Sequence, residues 1–209
     1  MTFMQALATQ RWDDHRYYHH SRINQSLHLV SALTFLTAYV MVFVNPLVAV
    51  MLGWLVAMPT RQAGHFFFEP KGYDEANQAT HEYKEDVKVG YNLHRKVVLL
   101  TIWALLPVGV IASPTLGGLL QRHTGVYTFA YNVSILWLAL SVAALLFRAA
   151  QLWYLFDVQT AVVWLTKILT DPFHDVLLYG KSPLYLLRGE RFDPIVGNEP
   201  PASRATSVA

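Results

Sequence analysis

The sequence predicts an all-α fold, a polytopic membrane bundle of about four embedded helices with interfacial helices beside them. Three observations carry this. Charged residues make up 14% of the chain and hydrophobic residues 54%, whereas soluble domains carry about 25% charged residues. Mean hydropathy is positive, at +0.28. Long apolar runs recur at residues 29–44, 46–58, 97–112 and 128–147, each approaching the length of a helical span.

The N-terminal stretch before these runs carries Arg11, Asp13, Asp14, Arg16 and Arg22 and no apolar core, so a cleaved signal peptide is not expected. Runs 29–44 and 46–58 are separated only by Asn45 and Pro46. They read as a tight helical hairpin, or as a pair that enters the bilayer without crossing it. Run 97–112 closes at Ser113 and Pro114, and run 128–147 is the cleanest. Residues 152–169 include Asp157, Gln159 and Lys167, which argues for an interfacial or protein-packed helix rather than a fifth span. Residues 1–193 form one membrane domain, with a His-rich core at about 15–96 and a helical part at 97–193. The tail 194–209, rich in Pro, Ser, Ala and Thr, is expected to be disordered.

Charge partition supports this layout. If both pairs of runs go in and out, residues 1–28, 59–96 and 148–209 share one side and 113–127 lies opposite. Of 16 basic side chains only Arg122 falls on the second side. The positive-inside rule makes the first side cytoplasmic, at the inner membrane of a bacterium or the endoplasmic reticulum of a eukaryote. Of nine histidines only His123 lies opposite, so the polar chemistry is expected at one membrane face. The net charge of +2 gives no reason to expect a nucleic-acid partner.

The absence of cysteine excludes disulfides, thiolate zinc sites, iron–sulfur clusters and cysteine nucleophiles. Any metal must be held by His, carboxylate or amide groups. In the segment HHSRINQSLH, His20, Asn24 and His28 are spaced by four and four and share a helical stripe. His19 lies off that stripe unless the chain breaks before Ser21. The alternative is a polar face that caps a membrane helix. His65 and Glu69 in GHFFFEP, and His81 and Glu85 in THEYKED, are i, i+4 pairs that supply two ligands or a ligand with its acceptor. Asp171, His174 and Asp175 could bind metal, but Asp before Pro172 favours a turn after a helix. HRYYHH, at 15–20, fits one histidine box of the desaturase type, but no second HxxHH occurs. Walker, GxGxxG, HExxH and GxSxG motifs are also absent.

His19, then Asn24 and His28 at the start of an apolar helix, an apolar hairpin, and GHFFFE resemble the small membrane family that contains the 2-hydroxy fatty acid dioxygenases. The resemblance covers about residues 19–81. It implies an Fe(II) enzyme that uses molecular oxygen to shorten long-chain 2-hydroxy fatty acids by one carbon. It places metal ligands at His19, His28 and His65. His81, in NQATH, matches the family's last histidine more loosely. His20, Asn24, Glu69 and Glu85 would then orient ligands or steer protons, and Arg61 or Lys71 would hold the substrate carboxylate. Residues from about 127 onward have no counterpart in the family. The competing expectations are a dinuclear-iron hydroxylase or desaturase, and a non-enzymatic haem-binding or scaffold membrane protein.

Overall fold

The computed structural model describes residues 1–69, 71–75 and 77–194. Among them there is no β-strand, only the isolated bridges Ser21–Phe192 and Asp74–Ala79. Helix α1 (Phe3–Tyr18) starts at a capping box in which Thr2 and Gln5 satisfy each other's backbone N–H groups. Ser21 caps α2 (Arg22–Val44).

The hairpin is present. Asn45 leaves helical geometry at φ −152°, ψ 93°, and its side chain accepts from Val48 N at 3.3 Å. Pro46 then opens α3 (Pro46–Leu52), where its missing N–H costs nothing. A π turn, Gly53–Ala57, joins α3 to α4 (Met58–Phe67) without leaving helical backbone. The returning leg thus runs on past the expected 58 to Phe67, carries His65, and packs along α2.

A short α5 (His81–Asp86) leads to α6 (Leu93–Ala112) and α7 (Val126–Leu155). α2, α6 and α7 are long and apolar enough to cross a membrane. Large apolar side chains on them face outward, such as Phe43, Leu105 and Phe147, as lipid solvation permits. At the core, Trp54, Trp103 and Trp137 pack together with Val110 and Val133.

Two expectations are corrected in the C-terminal half. The run expected at 152–169 straddles a break, because α7 continues to Leu155 and Asp157 caps α8 (Val158–Tyr179) by accepting from Thr160 N at 2.6 Å. The turn expected at Asp171–Pro172 is absent; Pro172 lies inside α8. Asp171 is tied to Lys167 one turn earlier at 2.9 Å, and both face the protein. α8 is not among the span candidates; it packs on α1, α2 and α7. A final α9 (Ser182–Leu187) lies against α2. The tail expected to be disordered falls outside the described residues from 195 on.

Candidate metal centre

The site begins with a break in the backbone. α1 ends at Tyr18, and His19 takes up φ −119°, ψ 40° before Ser21 restarts the helix. Long-range bonds hold this turn. Asn24 Nδ2 donates to Tyr18 O at 2.8 Å and Gln25 Nε2 to His19 O at 2.7 Å. Asp193 N donates to His20 O at 2.8 Å, and Arg22 N to Arg191 O at 2.9 Å. The result turns His19 inward, 1% exposed, while His20 bonds back to Arg16 O and stands 3.6 Å from Asp74.

His19, His28 and His65, all buried, offer ring nitrogens within 4.8 Å of one another. They come from the α1–α2 turn, α2 and α4. His19 Nε2 and His28 Nε2 are 3.1 Å apart. The His65 ring centroid lies 5.3 Å from that of His19 and 5.0 Å from that of His28. Each Nδ1 faces its own carboxylate. Glu69 Oε2 is 2.8 Å from His65 Nδ1, Asp175 Oδ2 3.6 Å from His28 Nδ1, and Asp14 Oδ2 3.9 Å from His19 Nδ1. A carboxylate at Nδ1 favours the tautomer that leaves Nε2 bare. With that tautomer at both rings, the Nε2 lone pairs of His19 and His28 would face each other across 3.1 Å.

Electrostatics keep the set ready to ligate. Burial pushes the His19 imidazole well below its usual pKa, and the neighbouring His28 adds to this; a neutral ring is the ligating form. Burial drives the Asp14 carboxyl up, but Lys167, His19 and Arg61 outweigh it and hold Asp14 well below the carboxylate range. Burial raises Glu69 despite the opposing Lys88 at 3.3 Å.

The other expected site residues fall around this cluster. Asn24 touches no ligand nitrogen by hydrogen bond; it clamps the turn at Tyr18 and packs on Gly64, where a Cβ would overlap its Oδ1. Gly64 is therefore required by close approach. Arg61 is engaged by Asp175 at 2.9 Å and Asp171 at 3.7 Å. His81 is not brought into the three-imidazole cluster. It lines a small chamber of about 10 Å³ with His65, Glu69, Lys71 and Glu85. Glu85 does not serve His81 as acceptor; it takes Leu93 N at 2.8 Å and Lys88 Nζ at 3.1 Å. His94 and His174 lie outside the cluster, as does His123, which packs edge-on against Phe129.

Sequence reasoning missed Asp14 and Tyr179, and weighed Asp175 as a metal residue but favoured a turn. Tyr179 is buried 5.8 Å, ring to ring, from His19 and 6.2 Å from His28, and its hydroxyl meets His15 Nδ1 at 3.3 Å. A signal existed. Lys167, Asp171, Asp175 and Tyr179 recur every fourth residue and form a polar stripe on an apolar helix.

Beside His65 opens a groove of about 580 Å³, within the roughly 300–1,000 Å³ of ligand sites. Its polar end holds Asp14, Arg61, Lys96 and Lys167, and its apolar end Phe35, Val42, Val50 and Leu138. Ala49, Val50, Gly53, Trp54, Met58, Arg61 and His65 give it one face of the returning leg. At about 1.5 Å per residue, that face is roughly 24 Å long. Half of a hydrocarbon core is about 15 Å. No family model, curated protein or solved structure matches this chain.

Proposed function

We propose that this protein is an Fe(II)-dependent dioxygenase of the membrane that shortens long-chain 2-hydroxy fatty acids by one carbon. The observation that carries the reading is the convergence of His19, His28 and His65, each with a carboxylate near its Nδ1, with His65 also lining a groove that has an apolar far end. The donor set suits a divalent ion. Imidazole nitrogens on one ion at about 2.1 Å lie roughly 3.0–3.5 Å apart, and the His19–His28 pair is at 3.1 Å. The buried Nδ1 atoms of His19 and His28, which have no hydrogen-bond partner among the described residues, are further groups that carboxylate-backed ligation would engage. Three neutral nitrogens leave open positions and suit iron. The membrane 2-hydroxy fatty acid dioxygenases, which the 19–81 segment resembles, supply the reaction.

When bound, the iron would supply oxygen activation and Lewis acidity toward the substrate's carboxylate and 2-hydroxyl. The chain's own residues supply the rest. His19, His28 and His65 hold the ion through Nε2. Glu69 fixes the His65 ring through Nδ1, and Asp14 and Asp175 stand within 4 Å of the Nδ1 atoms of His19 and His28. Glu69 Oε2, 2.8 Å from His65 Nδ1, accepts the Nδ1–H hydrogen bond and so leaves Nε2 free for the ion. The groove takes the acyl chain and keeps water from the reacting end. Its length favours a long chain over a short one. The second reading, a dinuclear hydroxylase, needs ligands for two ions, and the described residues hold one such group.

Anaerobically purified protein should contain about one iron per chain. It should consume oxygen with a long-chain 2-hydroxy acid and release an acid one carbon shorter. A plain acid lacks one chelating oxygen and should react slower by a factor of up to about 10⁴. Mass spectrometry of the product decides. An unchanged carbon count with a new oxygen on the chain would overturn the dioxygenase reading.

A further inference from the structure

The groove carries five cationic side chains, and four are neutralised internally. Arg16 pairs with Asp13 at 2.7 Å, Arg61 with Asp175 at 2.9 Å, Lys88 with Glu85 at 3.1 Å and Lys167 with Asp171 at 2.9 Å. Lys96 has no carboxylate at ion-pair distance among the described residues, although it lines the groove and the smaller chamber alike. It also sits in the first turn of α6, where the helix dipole is positive and disfavours a further cation. A lysine drawn into a groove instead of snorkelling to the interface is costly without a partner. Both effects are relieved by one anion in the groove.

We propose that Lys96 Nζ is the anchor for the carboxylate of an acyl ligand, and that it makes the groove select fatty acids over uncharged lipids of equal length. This rests on the reading of the groove as an acyl site. The geometry fits the ligand's two ends. His65 and Lys96 both line the groove, so a carboxylate held by Lys96 lies on the His65 side of the imidazole cluster. The hydrocarbon then extends along α2 and the returning leg toward Val42 and Val50. Arg61, the cation expected for this role, has its guanidinium committed to α8 and cannot turn to a ligand without leaving Asp171 and Asp175 unpaired.

The test reads binding, not turnover. Palmitic acid and hexadecanol would compete with a fluorescent fatty acid for the full-length protein in detergent. Wild type should prefer the acid by roughly 10- to 100-fold, the range of a charge-assisted bond. Lys96→Met should lose that preference while binding hexadecanol within about twofold of wild type, and Lys96→Arg should retain it. Equal wild-type affinity for acid and alcohol would overturn the proposal, even if a variant failed to fold. So would an undiminished acid preference in Lys96→Met. Because no reaction is measured, loss of selectivity speaks to Lys96, and a wrong product speaks to the proposed chemistry.

Discussion

Gly64→Ala tests the architecture of the site without touching a proposed ligand. A Cβ at Gly64 would overlap Asn24 Oδ1 and come within 3.4 Å of His28 Cδ2. Asn24 is fully buried and cannot swing to solvent. Displacing it breaks the Nδ2 bond to Tyr18 O, which costs about 1–3 kcal/mol when the carbonyl stays buried. Overpacking adds about 1–3 kcal/mol. Alanine's better helix propensity returns about 1 kcal/mol. The net loss is therefore about 1–5 kcal/mol. It falls on the turn that aims His19, so bound metal should drop along with thermal stability. Asn24→Ala alone should cost about 1–3 kcal/mol for the lost clamp. In the double variant the new methyl enters space that the carboxamide has vacated. The two changes should then be non-additive, with a favourable coupling of about 2–6 kcal/mol, because the overpacking is removed and the clamp is lost only once. Unfolding in detergent and metal content would be measured for all four proteins. Additivity within about 0.5 kcal/mol would refute the idea that Gly64 exists to admit Asn24.

Alanine at His28 or His65 should abolish metal binding in folded protein, whereas alanine at His20 or His123 should leave it; metal analysis across the four variants reads this, and metal loss in His123→Ala would contradict the one-cluster site. Asp175→Asn should weaken metal affinity by about 10- to 100-fold through His28, seen in competition with a chelator. The chain has no cysteine, so single cysteines report sidedness cleanly. One at Leu119, 84% exposed between α6 and α7, should be labelled from the side opposite to one at Tyr83, and labelling from the same side would break the proposed path of α6 across the membrane.

Local features were legible in the sequence. Apolar runs marked α2, α6 and α7 because a bilayer span must be apolar around most of its circumference. Asn45–Pro46 marked the hairpin because both residues favour a helix start. His65–Glu69 read as a pair, and the side chains meet at 2.8 Å, although α4 ends at Phe67 and Glu69 lies just past its C-cap. Helix ends were less legible. Asp157 looked like a charge intruding into one helix and is the cap of the next, because a buried run and its capping residue share the same composition.

The sequence by itself determined an all-helical chain and its apolar runs, three of them on helices long and apolar enough to cross a membrane. Those follow from composition and from the helical repeat, which act over a few residues. Tertiary structure decided which polar groups meet. His19 rather than His20 turns inward because bonds from Asn24, Gln25 and Asp193 hold a break between two helices. Asp14 and Asp175 reach the imidazoles because α1 and α8 both pack on the same assembly. Among the described residues Lys96 has no carboxylate at ion-pair distance, while every other lysine or arginine of the groove finds one, three of the four on another element of the fold. Helix crossing geometry sets such meetings, and it depends on how whole side-chain surfaces interlock rather than on any spacing along one helix.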